Sequence, residues 1–162
     1  MATSKSARWA AIAVAAAVGL GAVLYPTDEK RVREAADAIV SGANGSSADL
    51  ARALDEYAAP NVTIDATELP EPLRGRDAIV AAVGRATELG QSLRFRAEGV
   101  EVTLDGKRAR LTADLMTTLR AEVPELRRPR HGVALFEKQN GRFRLISAEI
   151  GSERLDQPEA RP

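Results

Sequence analysis

The chain has 162 residues, balances 23 Lys and Arg against 23 Asp and Glu, contains one His and no Cys, and is 44% hydrophobic. That is material for one globular domain, and it excludes a multi-span membrane protein, a collagenous repeat and a wholly disordered chain. Without cysteine there is no disulfide framework, thiol nucleophile or thiolate zinc site, and on net charge neither the N-terminal stretch nor the rest of the chain is a nucleic-acid binder.

Trp9 to Tyr25, WAAIAVAAAVGLGAVLY, is 17 residues without a charge, preceded by Lys5 and Arg8 and followed by Pro26 and the run Asp28, Glu29, Lys30, Arg31. No polar face occurs at any helical phase, so the segment is expected to be a hydrophobic helix addressed to a membrane. At about 1.5 Å per residue it reaches roughly 25 Å, the lower limit for a hydrocarbon core of about 30 Å. A cleaved signal should end on small residues at −3 and −1, whereas this run closes on Val23, Leu24, Tyr25, Pro26. An uncleaved anchor over residues 1–26, with Trp9 and Tyr25 as interfacial aromatics, is therefore preferred to secretion after cleavage. The 19 Arg to 4 Lys ratio and the alanine richness point to a GC-rich bacterium. A short N-terminus that stays inside would place the rest beyond the inner membrane, in the periplasm.

Residues 27–155 then read as one domain. Thr27 or Asp28 can cap a helix with Val32, Ala35, Ala36, Ile39 and Val40 on one side, ended by Gly42 and the loop Asn44, Gly45, Ser46. Ser47 caps a second helix with Leu50, Ala53, Leu54 and Tyr57, which Pro60 stops. Val62 and Ile64 alternate with Thr63 and Asp65 as a short strand. The stretch Leu69 to Gly75 is expected to be irregular, and a third helix carries Ile79, Val80, Val83 and Ala86 until Gly90. The period then changes from about 3.6 to 2. Leu93, Phe95 and Ala97 share a face, and Val100, Val102 and Leu104 resume out of phase after Gly99, which predicts a bulge there. Asp105 and Gly106 form a hairpin signal, and the return strand divides Ala109, Leu111, Ala113 and Leu115 from Arg110, Thr112, Asp114 and Met116. A loop with Pro124 and Pro129 leads to Val133–Phe136, and Asn140 with Gly141 turns the chain into Phe143–Ile150. Residues 156–162 are expected to be disordered.

The expected fold class is α+β, with three N-terminal helices packed on a curved antiparallel sheet. This order, with Leu73, Arg74, Gly75, Arg76, Asp77, Ala78, Ile79 opening the third helix and RFRLISAEIG closing the chain, resembles the nuclear transport factor 2-like superfamily, which includes SnoaL-like domains. The resemblance covers roughly residues 28–152. It implies a cone with a pocket between sheet and helices. It does not imply one activity, because the superfamily holds isomerases, dehydratases, cyclases and non-catalytic binding or assembly domains.

Enzymatic relatives, the resemblance implies, place an Asp, His or Tyr in the cone to move a proton or polarise a carbonyl. Asp65 ends the short strand, His131 is the only histidine and follows Arg127, Arg128 and Arg130, and Tyr57 is the only tyrosine of the domain; these are the catalytic candidates. Each has a plainer reading: a loop carboxylate paired with Arg74 or Arg76, a surface imidazole, and a core phenol. Asp114 shares its strand face with arginines and threonines and reads as solvated or partner-facing. One histidine and no calcium-loop spacing leave no metal set, and no Gly-rich phosphate loop or Gly-x-Ser-x-Gly elbow occurs, so no cofactor is expected. The sequence therefore favours a membrane-anchored, non-catalytic domain of the bacterial envelope that binds a small molecule or partner protein. It could form a homodimer through the sheet face around Met116, Arg110, Asp114 and Arg120. The alternative is a small-molecule isomerase, dehydratase or cyclase using an acid/base residue in the cone. A third possibility is an assembly module of a larger envelope complex.

Overall fold

The structure is a computed structural model that describes residues 27–67, 69–88, 93–119 and 129–151. The apolar segment, the expected loop with Arg120, Pro124, Arg127 and Arg128, the expected helix end at Gly90 and the C-terminal residues expected to be disordered lie outside the described residues. Helix α1 (Asp28–Asn44) is capped by Thr27, whose hydroxyl accepts from the Lys30 amide at 3.3 Å, and buries Val32 and Ala35. Helix α2 (Ser47–Tyr57) buries Leu50 and Leu54. Strand β1 (Ala58–Ala66), the two-residue strand β2 (Leu73–Arg74) and helix α3 (Arg76–Glu88) follow. Four long strands complete the chain: β3 (Leu93–Asp105), β4 (Arg108–Leu119), β5 (Arg130–Gln139) and β6 (Arg142–Ile150).

All six strands form one sheet in the order β2-β1-β6-β5-β4-β3. Its core side packs on the helices around Val32, Leu50, Leu54, Val62, Phe136 and Leu145. The second half follows its period-2 pattern: Ala109, Leu111 and Ala113 are buried, and the register of β3 on β4 slips between Glu98 and Glu101, where Gly99 takes a φ of 60°. Asn140 and Gly141, both at positive φ, make the second hairpin turn. In the first hairpin Asp105 pairs with Arg108, so Gly106 and Lys107 are the central residues, one position later than the Asp-Gly pattern predicts.

Several expectations are corrected. The sheet is mixed, not antiparallel, because β1 runs parallel to β6, pairing Thr63 with Ser147 and Asp65 with Glu149. Periodicity gives no strand direction, so only the tertiary pairing reveals this. Pro60 does not stop α2. The helix ends at Tyr57 and passes directly into β1, where Pro60 sits in a bulge between the Ala58 and Thr63 pairings that demands no ladder amide from it. Leu73 and Arg74 are not irregular but pair with Ile64 and Thr63. Gly42 does not end α1; it lies inside the helix where a Cβ would stand 3.0 Å from the Ala53 Cβ and 3.1 Å from the Asp49 carbonyl oxygen and the Leu50 Cα, so glycine lets α1 and α2 touch. The cap of α2 is Ser46 rather than Ser47, and Asp49 completes a capping box with it.

Two local devices are open to test. Strand β3 is a sheet edge, and α1 covers it with the Asn44 amide, which donates to the Phe95 carbonyl at 2.8 Å and accepts from the Phe95 amide at 2.6 Å, like a neighbouring strand. Asn44→Ala should lower unfolding stability by about 1–2 kcal/mol in denaturant titration, from two hydrogen bonds worth about 1 kcal/mol each. In the capping box, hydrogen bonds from the Ser46 hydroxyl and amide hold the Asp49 carboxyl below its ordinary value. A depressed folded-state pKa stabilises above the unfolded value and is lost as pH falls through the folded one. Protection of the first-turn amides of α2, read as exchange relative to an unstructured peptide at the same pH, should therefore fall on acidification below about pH 4, and Asp49→Asn should remove that pH dependence.

Candidate functional site

The two faces of the sheet differ in chemistry, and alternation along the strands, shifted at the bulges, separates the described side chains between them. On the outer face, His131 at the start of β5 lies directly opposite Asp114 of β4, with its Nδ1 3.4 Å from Asp114 Oδ1. That separation exceeds the 2.7–3.2 Å of a firm N–H···O bond, and both side chains are more than a third exposed (41% and 37%), so solvent screens the pair. Glu98 of β3 continues the row beside Asp114 and pairs with Arg96 Nε at 3.3 Å. Asp65 also points outward, exposed beside the exposed Glu149 of β6. Between these groups β5 presents Val133 and Leu135, the latter 40% exposed although flanked by Arg110 and Ser147 on the neighbouring strands.

Tyr57 lies elsewhere, at the end of α2. It edges a groove of about 410 Å³ between α1 and α2, with Ser41, Gly42, Ala53, Arg52 and Glu56 around it. Burial and then the neighbouring Glu56 carboxylate push the phenol above its ordinary value, so it stays neutral through physiological pH. Asp65, His131 and Tyr57 are therefore not brought to one cavity. Asp65 and His131 share the outer face on different strands, and Tyr57 belongs to the helical layer. Sequence periodicity does not reveal the His131–Asp114 proximity, because it carries no register of β5 against β4.

The concave face is apolar. Ile79 of α3 and Leu111, Ala113, Phe136, Phe143 and Leu145 of the sheet are buried there, and Ile64, Val80, Val83, Ala97, Ala134 and Ala148 are partly buried against them. Among the described residues no polar or charged residue is buried. The arginine of the Gly-Arg-Asp stretch has a structural use. Gly75, at a φ of 83°, donates its amide to the Val62 carbonyl at 2.8 Å. Arg76 can then reach back to the end of α2, where it donates to Asp55 Oδ1 at 2.6 Å and to the Ala58 carbonyl. Arg144 donates to the Asp55 and Ala58 carbonyls at 3.2 and 3.3 Å, so two guanidinium groups meet the negative end of this helix. The sequence places Arg76 at the start of α3 and offers Asp65 as its partner; that it faces the end of α2 instead depends on how the two helices pack.

Comparison with solved structures finds the same architecture repeatedly. An NTF2-like protein with a cystatin-like fold from Novosphingobium aromaticivorans matches with a TM-score of 0.62 and 20% identity, over 91% of each chain. An NTF2-like protein of unknown function from Pseudomonas putida matches with a TM-score of 0.63 and 10% identity, over 83% of this chain and 96% of that one. A candidate dehydratase of the NTF2-like family from Streptomyces avermitilis matches with a TM-score of 0.58 and 16% identity, over 78% of this chain and 96% of that one. At these identities the likeness is one of fold. Comparison with curated proteins gave no match. A family model described as a SnoaL-like domain matches residues 27–146, nearly all of the chain beyond the apolar segment. The order of helices, the mixed sheet and this match together establish that the chain belongs to the SnoaL-like domain family, with the NTF2-like fold.

Proposed function

We propose that this chain is a membrane-anchored, non-catalytic binding domain of the bacterial envelope. In this reading residues 9–25 hold it in the inner membrane and the NTF2-like domain stands in the periplasm, paired with a second copy through the outer sheet face. The observation that supports it best is the separation of groups by face: Asp65 and His131 stand on the outer surface and Tyr57 in the helical layer, while the wall facing the helices is apolar. A proton-transfer base must lie within hydrogen-bond reach of its substrate, and an apolar wall supplies none. The outer face instead offers exposed Leu135 and half-buried Val133, with Arg110, Asp114 and Glu149 on the adjoining strands and Arg96 and Glu98 one strand further out, an apolar centre with a charged rim of the kind protein interfaces use.

Native mass spectrometry of the full chain released from detergent should give a dimer. A mass added to each protomer would identify a small molecule seated against the concave wall, whereas a bare monomer would overturn the reading. A reporter active only outside the cytoplasm, fused after Pro162, should be active; activity only in a cytoplasmic reporter would overturn the localisation. A second reading, a dehydratase, isomerase or cyclase, draws support from the fold likeness to the Streptomyces avermitilis candidate dehydratase and from the His131–Asp114 proximity. Loss of a bound mass in His131→Ala or Asp65→Asn would favour it, since neither side chain touches the apolar wall.

A further inference from the structure

We infer that the end of the domain bearing the two hairpin tips lies against the bilayer, with Leu104 and Lys107 in the headgroup layer and the opposite end of the sheet turned toward solution. This rests on the anchor reading above and adds to it which part of the domain meets lipid. The last apolar residue, Tyr25, is three residues from Asp28, a reach of at most roughly 10 Å at about 3.3–3.6 Å per residue, and Pro26 stiffens that short tether. The start of α1 is therefore held beside the membrane surface. Asp28 is fixed there by Lys138, whose Nζ lies 2.9 and 3.1 Å from its two carboxylate oxygens. The Lys138 amide donates to the Lys107 carbonyl at 2.7 Å, so the β3–β4 turn, the end of β5 and the start of α1 make one surface. On that surface Leu104 is 44% exposed, one of two large hydrophobic side chains so exposed among the described residues. Lys107 is exposed in the turn beside it. An apolar side chain next to a long-stemmed cation is the pairing that an acyl–headgroup boundary accepts. The other end, where α1 finishes at Asn44, is roughly 25 Å away at about 1.5 Å per residue over 17 residues.

The chain has no native cysteine, so single sites can be labelled cleanly. Leu104→Cys, Lys107→Cys and, at the far end, Ala48→Cys would each carry an environment-sensitive dye, with the full chain reconstituted into phosphatidylethanolamine–phosphatidylglycerol vesicles. Flotation reports the anchor and is read separately. In floated protein the dyes at positions 104 and 107 should shift to the blue and be quenched by headgroup-depth spin-labelled lipid, and the dye at 48 should do neither. Flotation with unquenched dyes at 104 and 107 overturns this inference and leaves the anchor standing. A blue shift without lipid quenching assigns the surface to a protein contact and overturns it too, as does quenching at position 48 alone. Failure to float removes both readings.

Discussion

Leu135→Arg is expected to convert the proposed dimer to monomer without unfolding it. Leu135 is 40% exposed on the outer face near the middle of the sheet, on β5, with β6 and β4 at its sides. In a two-fold interface each substitution acts twice. An apolar anchor lost from the centre of an interface costs about 2 kcal/mol or more, so two copies weaken dimerisation by about 4 kcal/mol, roughly a thousandfold. Arginine there adds unpaired charge beside Arg110, which deepens the loss. Because the side chain is already exposed, monomer stability should move by no more than about 0.5 kcal/mol. Sedimentation velocity over a concentration series measures the first effect and thermal unfolding the second; an undisturbed dimer would show that the copies meet elsewhere.

The next residue along the strand should behave in the opposite way. Phe136 is 1% exposed, faces the helices, and pairs across the sheet with Ala109 and Leu145. Phe136→Ala removes most of its side chain from a site ringed by other core residues, with a cost of about 3–5 kcal/mol from lost burial and residual cavity. Against a total of about 5–15 kcal/mol for a typical domain, that is enough to leave the variant partly unfolded at physiological temperature. Chemical denaturation should show the loss directly. A cost below about 1 kcal/mol would mean that the side chain is not the centre of this core. The two substitutions fall on adjacent residues that face opposite sides of the sheet, so together they test the period-2 assignment that underlies both the interface and the core.

Length, composition and hydrophobic periodicity by themselves determined a good deal of this protein. Three amphipathic helices, two hairpins and the bulge at Gly99 are legible because each is encoded locally: Val32 and Ala35 recur at helical spacing, Ala109, Leu111 and Ala113 at strand spacing, and Asn140-Gly141 suits a turn needing two positive φ angles. The apolar run Trp9–Tyr25 is equally a property of the string of residues. What the string does not encode is which distant segments become neighbours. That β1 runs parallel to β6, so that Asp65 stands beside Glu149, depends on a pairing across more than eighty residues that no short-range signal specifies. The meeting of His131 with Asp114 depends on the register of β5 against β4. Gly42 and Pro60 read as helix stops because glycine and proline usually are. Close contact of α1 with α2 at Gly42, and a bulge at Pro60 that needs no amide, gave each a different use. Local conformational preference is written residue by residue, whereas the face a side chain finally meets is set by packing. The sequence supplies Asp65, His131 and Tyr57 as residue types able to move a proton, and only the fold decided that they are not assembled on one wall.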